Sequence, residues 1–185
     1  MSFSFHRGSL ALDFVGTVGS RASDAPEERL PEGDALAAWL REAGLVADAR
    51  PTAADLEAAR RLRVAIHTLG VALVKHRPLD GRALAVVNRA AQGLRRGAPA
   101  LDARAEVRWD SDAPVALALG RIALDAIERF AGEPERLAIC ELPGCGALLL
   151  SRSRSDRRRW CSMELCGNRA KVAAYRARAR GTQRT

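Results

Sequence analysis

Aromatic residues are scarce in this chain of 185 residues: three Trp, four Phe and one Tyr amount to 4%. A core with so few rings is aliphatic and alanine-rich, which suits packed helices better than a β-sandwich. Lysine is almost missing as well, with two against 28 Arg. A GC-rich coding bias accounts for Arg in place of Lys, though not for where the Arg residues gather. Long apolar runs are absent. The longest aliphatic stretches, Ala83–Val87 and Val115–Leu119, fall far short of the roughly 20 residues a bilayer span needs. The opening residues 1–16 lack a basic start followed by a hydrophobic stretch and a small-residue cleavage site. These absences argue against membrane and secreted classes and lead us to expect a soluble, cytoplasmic protein.

What is present supports a folded chain. Apolar residues make up 48% and charged residues 28%, enough for a real core in one domain with room for a small appendage. The net charge of +8 is unevenly spread. From Leu150 to Thr185 eleven basic residues stand against two acids, Asp156 and Glu164, a net of +9, which leaves −1 for the first 149 residues. A neutral body with a basic module is the electrostatic footprint of a nucleic-acid contact.

Along the body, Phe3 to Val18 is apolar and reads as extended structure, a hairpin turning at Arg7-Gly8. Ser20 to Gly33 reads as a loop. Asp34 is the expected cap of a helix carrying Leu36, Trp39, Leu40 and Ala43 on one face, with Gly44 at its end. Thr52 opens the most periodic helix, with Leu56, Ala59, Leu62, Ile66, Leu69 and Leu73 at steps of three and four, and Pro78 beyond its end. A further helix is expected over about 80–95, closed by Gly97 and Pro99. Arg104–Trp109 alternates as a half-buried strand does. Asp112 is the expected cap of a central helix with Val115, Leu119, Ile122, Ala126 and Phe130 on one stripe and Leu117, Leu124 and Ile127 on another. Gly132 and Pro134 mark the boundary.

All four cysteines lie between Cys140 and Cys166, spaced as two Cys-x4-Cys pairs with fifteen residues between them. Two close pairs joined by a short arm suit one tetrahedral metal ion. Leu137–Ile139 and Ala147–Leu150 fit the two strands of a hairpin, with Pro143-Gly144 making the turn. Ser162 is placed to cap a helix continuing toward Arg180. Inside one regular helix Cys161 and Cys166 would point about 140° apart, so Cys161 is expected before the helix and Cys166 in its first turns. Disulfides, redox chemistry and an iron–sulfur cluster are the alternatives. A structural zinc ion closed by four thiolates is favoured, because a short segment with few apolar side chains hardly folds otherwise.

The run Arg158-Arg159-Trp160-Cys161-Ser162-Met163-Glu164-Leu165-Cys166-Gly167-Asn168-Arg169-Ala170-Lys171 resembles the CGNR zinc-finger family, and Cys140…Pro143-Gly144-Cys145-Gly146-Ala147 and Ser151–Arg154 fit the same pattern. In that family the finger follows a domain described as a putative stress-induced transcription regulator. Leu10–Thr17, Trp39-Leu40…Ala43-Gly44-Leu45 and Leu62-Arg63 are similar to it. Gly16 departs from the Asn the resemblance leads one to expect, and Ser151 from an Asp. The resemblance implies a bacterial, zinc-bearing, DNA-binding regulator of stress responses, with no particular ligand or target.

The fold class expected is therefore α+β: a mainly helical body with a few short strands over 1–132, and a small four-cysteine zinc finger, a β-hairpin followed by a helix, over 137–181. Cys140, Cys145, Cys161 and Cys166 hold one structural Zn2+. Arg158, Arg159, Arg169, Lys171, Arg176 and Arg178 are the candidates for contact with nucleic acid, DNA in the first instance, and Arg152, Arg154, Arg157 and Arg180 add to the charge around them. Trp160 either stacks on a base or, in the favoured reading, covers the metal site; Asn168 and Arg169 either brace the knuckle or touch a partner. The first domain would sense a signal, with a small-molecule effector as a candidate partner, or assemble as a homodimer. Alternatives of other kinds are a zinc-stabilised protein–protein adaptor and an RNA-binding module. His6, His67 and His76 lack metal-ligand spacing, Asp13 is expected to be a hydrogen-bonded structural group, and no phosphate loop, nucleophile elbow or carboxylate pair points to an enzyme.

Overall fold

The computed structural model describes residues 3–101, 103–105, 107–151, 155 and 158–182, and at 108 and 177–182 the backbone only. Its first element is a helix, α1 (Leu10–Val15), not the expected hairpin. Ser9 caps it, its hydroxyl accepting from the Leu12 amide. Ala11, Leu12, Phe14 and Val15 are all buried, so α1 shows no polar face from which a period could be read. Tertiary contact settles so short an apolar run, and here it is enclosed by other helices. Extended pairing is confined to β1 (Val18–Gly19) against β2 (Glu27–Glu28).

Helix α2 (Gly33–Glu42) starts two residues earlier than expected. Glu32 is its N-cap residue, without a side-chain bond, and Asp34 lies in the first turn. Helix α3 (Ala53–Val74) is held at its start by a reciprocal capping box between Thr52 and Asp55. Asp80 caps α4 (Gly81–Ala91), which tightens into a 3-10 turn over Gln92–Arg96. Gly97 and Pro99 then belong to a strand. β3 (Gly97–Leu101) pairs antiparallel with β4 (Val107–Ser111). The expected strand is thus shifted and less buried, Val107 being 66% exposed; Glu106 and the side chain of Arg108 lie outside the described residues. Helix α5 (Pro114–Gly132) is preceded by Ala113 as N-cap residue and carries Pro114 in its first turn, where the missing amide costs nothing. Asp112 does not cap it and lies 3.9 Å from Arg96.

The main core gathers Phe14 and Val15 of α1, Trp39 and Leu40 of α2, Leu62 and Ile66 of α3, and Ile122 and Ala126 of α5. Trp39 is fully buried, its ring 5.0 Å from that of Phe14. α5 is central, as its double stripe implied, packing on α1, α3 and α4, although Leu124 is 38% exposed. Where the 3-10 turn crosses α5 the backbones come close: a Cβ on Gly93 would lie 2.2 Å from the Ala116 carbonyl oxygen. No helix among the described residues is long and apolar enough to cross a membrane.

After a short 3-10 turn (Pro134–Arg136), β5 (Leu137–Ile139) and β6 (Leu148–Leu150) form the second hairpin, and a π-helical turn (Met163–Gly167) leads into α6 (Asn168–Thr182). The architecture is mainly helical with a few short strands, plus a hairpin and helix at a four-cysteine cluster. The second hairpin is sunk into the body. Leu137, Leu148 and Leu150 share a core with Leu12, Val71, Val74 and Phe130. A Cβ on Gly70 would lie 2.5 Å from Leu148 Cδ1, so α3 meets the hairpin at a glycine.

Candidate metal centre

Two turns converge on one point. In the first, Cys140 and Cys145 flank Leu142-Pro143-Gly144, with Gly144 at φ +78° and Gly146 at φ +63°, conformations glycine adopts at least cost. The Cys140 amide donates to the Ala147 carbonyl at 2.8 Å, continuing the hairpin ladder. In the second, Cys161 precedes the Ser162 cap, whose hydroxyl accepts from the Leu165 amide. The turn that follows is π-helical, and the Gly167 amide reaches back five residues to the Ser162 carbonyl. This wider turn brings Cys166 round toward Cys161 instead of leaving it on another face.

The four ligand atoms all lie within 4.8 Å of one another. Cys161 Sγ is 3.4 Å from Cys166 Sγ and 3.7 Å from Cys145 Sγ, and Cys166 Sγ is 3.7 Å from Cys145 Sγ. A tetrahedron of sulfurs about 2.3 Å from zinc has edges of about 3.8 Å, so the cluster fits that ion. These spacings are far longer than a disulfide bond of about 2.05 Å, and all four cysteines are free. Cys140, Cys161 and Cys166 are buried and Cys145 is partly so.

The thiols cannot all ionise unaided. Cys161 is pushed up, first by its hydrogen bonds to Cys140 and Cys145, and burial pushes Cys166 up to about 11. Cys140 is pulled down, first by hydrogen bonds with Cys145 and Cys161. A divalent cation resolves this conflict, stabilising every thiolate at once. The chain accordingly holds one structural zinc ion on Cys140, Cys145, Cys161 and Cys166.

Other side chains brace the knuckle. Trp160 is half-buried against the cysteine cluster, and a Cβ on Gly167 would lie 2.5 Å from its ring, so a glycine must stand there. Asn168 Nδ2 donates to the Glu164 carbonyl at 2.9 Å. Met163 lies against Gly167 and remains 59% exposed. Arg158 donates from one terminal nitrogen to the His6 carbonyl at 3.1 Å and from the other to the Cys161 carbonyl at 3.0 Å, while its amide donates to Ser151 Oγ. Ser151 is thus useful where the resemblance called for Asp. Arg159 donates to Glu141 Oε2 at 2.7 Å and its guanidinium lies 4.3 Å over the Trp160 ring. Arg169, Lys171 and Arg176 are exposed on α6 and have no acidic partner among the described residues. The side chains of Arg178 and Arg180, and all of Arg152, Arg154 and Arg157, lie outside the described residues.

The body's own grip on the knuckle leaves almost no mark in the sequence. Arg21 and Ala22, in the loop after β1, donate from their amides to the Cys145 and Gly144 carbonyls at 2.9 and 3.2 Å. His67 Nε2 lies 3.3 Å from the Gly146 carbonyl, and burial, with the charge of Arg21, pulls its pKa down to about 4. Asp13 accepts from the His6 and Arg7 amides at 3.0 and 2.8 Å, although burial pushes its carboxyl up to about 6. Arg7 fills the space beside Gly16, where an added Cβ would lie 2.2 Å from the guanidinium carbon. The departure from Asn is thereby occupied by another polar group. Buried Arg63 pairs with Glu28 and donates to Thr17 Oγ1 at 2.9 Å, fastening β2 to α3. Only Asp13 carried a signal, as a polar residue in an apolar run.

Comparison with known families adds two matches. Residues 8–133 match the model of the family described as "Putative stress-induced transcription regulator", and residues 136–179 match the CGNR zinc finger. Both are regulator or finger types rather than enzyme families. A comparison with curated proteins finds no match.

Proposed function

Since the chain belongs to the family of putative stress-induced transcription regulators and carries a CGNR zinc finger, we propose that it regulates transcription by zinc-dependent binding of DNA through α6. One observation carries this reading. α6 leaves the metal centre packing chiefly on its own π turn, and residues 171–176 are exposed on every side. A helix so poorly supported internally gains most from an external partner. Arg169, Lys171 and Arg176 give it a charge that suits phosphates, and Arg forks also match guanine edges in a major groove. Arg159, over the Trp160 ring at the knuckle and paired with Glu141, is a weaker candidate. Arg158, with both terminal nitrogens donating to backbone carbonyls, acts as a brace in this reading, and Arg178 is one more basic residue in the sequence of the same helix. Zinc acts by fixing the start of the helix, so the metal is structural and DNA binding depends on it.

The test is binding of zinc-loaded full chain to a random-sequence DNA duplex across a salt series, followed by fluorescence anisotropy. The expected result is an affinity that falls steeply with salt. Replacing Arg169, Lys171 and Arg176 together by Gln should flatten the slope by about 0.9 for each phosphate left unneutralised. No binding at low ionic strength would overturn the reading.

A second reading rests on Val172 and Tyr175, which are 48% and 67% exposed on the same helix. They would suit an acidic protein partner. Val172→Ser with Tyr175→Ser, which changes no charge, tells the two apart: it should leave salt-dependent duplex binding nearly intact and abolish docking to a protein. Single-stranded RNA, run as a third arm, distinguishes the RNA-binding alternative by tighter binding than duplex DNA.

A further inference from the structure

Away from the metal centre, α3, α4, the 3-10 turn and α5 enclose a cleft of about 670 Å3, within the range of small-ligand sites, about 300–1,000 Å3. Its floor is apolar, made by Ala58, Leu62, Val86, Ala90 and Leu119. Its rim is cationic, with Arg61, Arg89, Arg95 and Arg96. The acid in the lining is Asp55, whose Oδ2 already accepts from the Thr52 amide and hydroxyl in the capping box at 2.9 and 2.7 Å. Arg61 has a partner in Glu57 at 3.4 Å, and Arg96 a long contact with Asp112 at 3.9 Å; both pairs are well exposed and hold little. Arg89 and Arg95 have no acidic partner among the described residues. The body as a whole is almost neutral, so this concentration of one sign is local.

We propose that this cleft binds a small organic anion with an apolar body, such as an aryl or alkyl carboxylate or sulfonate. The floor would take the hydrocarbon, and the guanidinium groups of Arg89 and Arg95 the anionic head. Either feature alone points elsewhere. A bare basic rim suits inorganic phosphate or a nucleic-acid backbone, and a bare apolar hollow suits a neutral hydrophobe. A ligand carrying both parts uses both walls, and like charge around a low-dielectric hollow concentrates such an ion. The inference does not rest on the partner proposed for α6, since the cleft shares no residue with the finger.

The test uses the zinc-loaded full chain and two fluorescent probes with the same carbon frame. 1-Anilinonaphthalene-8-sulfonate carries the anion, and N-phenyl-1-naphthylamine lacks it. The sulfonate should bind saturably at about one site per chain and at least about tenfold more tightly than the amine, a gap that charged hydrogen bonds readily supply. Arg89→Gln with Arg95→Gln, both exposed positions, should remove that gap and leave the thermal unfolding midpoint unchanged. Ala85→Trp, at an exposed residue of the lining, should block both probes. Equal affinity for the two probes, or sulfonate binding that survives both sets of substitutions, would overturn the proposal. So would competition by inorganic phosphate alone at equal strength, or a loss of duplex affinity in the double Arg variant matching its loss of sulfonate affinity, which would make the cleft part of a nucleic-acid surface.

Discussion

The body and the finger solve the same problem by different means. The body orders its helices by burying aliphatic side chains around Ile66 and Ile122, with buried Arg7, Asp13 and Arg63 fastening its edges. Among the described residues the apolar groups packed around the finger's cysteines are few, Ala138, Ala147, Leu142, Leu149 and Trp160, and four sulfurs on one ion hold it together. Burial is divisible, so the body tolerates a poor contact here or there. Coordination is not: losing one ligand opens the whole knuckle. The hairpin β5–β6 belongs to both schemes, its Leu148 in the body's packing and its Cys140 in the metal's.

Metal removal is the strongest way to break this contrast. Chelation, or Cys145→Ser, should unfold the knuckle and release α6, at a cost comparable to the apparent ~10–16 kcal/mol of zinc binding in finger peptides. Hydrogen exchange should show reduced protection from Cys140 to Gly146 and from Cys161 onward, with the amides of α3 and α5 still protected. If the body unfolds with the finger, the two schemes are one.

Leu148→Ala tests the shared element. The side chain is fully buried between Leu12, Phe130 and Gly70, and its loss should cost about 2–5 kcal/mol. Urea unfolding followed by circular dichroism should show a lower midpoint for the main transition, since this leucine serves the body. An unchanged midpoint would put the hairpin wholly with the finger.

A smaller effect should appear in the pH dependence. Partly buried, neutral His67 favours the fold. Below pH 6.5 the unfolded chain takes up a proton that the folded chain refuses until about pH 4, so this contribution is complete above 6.5 and drains away as pH falls to 4. Asp13 has the opposite sign: its folded pKa of about 6 against 3.8 adds stability as pH falls through that window. Comparing wild type with His67→Gln isolates the histidine. Wild type should lose about 1 kcal/mol relative to the variant between pH 7 and pH 5, after allowance for partial exposure, measured as the difference in urea midpoints. A constant difference would deny the histidine any part in fastening the knuckle to α3.

The smallest structural effect should come from Arg176→Gln. The residue is exposed on α6 and has no acidic partner among the described residues, so stability should stay within about 0.5 kcal/mol while duplex affinity falls. A clear loss of thermal stability would mean that α6 is part of the packed protein rather than a helix held out from it.

Much of this contrast was legible in the residues alone. The periods of α3 and α5, the start of α3 after Thr52 and of α4 near Asp80, the Pro143-Gly144 turn and the four-cysteine spacing are local patterns, set by side-chain direction over a few residues, and each recurs in the structure. So does the Ser162 cap with Cys161 before it. α1 was misread because burial on all sides erases its period, and Asp112 because Pro114 starts α5 without a side-chain cap. β3 went unseen because Gly97 and Pro99 usually signal a break. The π turn could not be read either, since one extra residue in a helical turn leaves no mark in composition.

The sequence by itself determined the separation of charge, the helical periods of the body and the identity of the metal ligands, because each depends on residues near one another in the chain. Only the tertiary structure decided that Arg158 serves as a brace, that His67 and Arg21 reach the knuckle, and that Arg61, Arg89, Arg95 and Arg96 ring one apolar hollow. Those arrangements join residues far apart in sequence, and their partners are mostly backbone carbonyls, which every residue carries and no pattern of side chains announces.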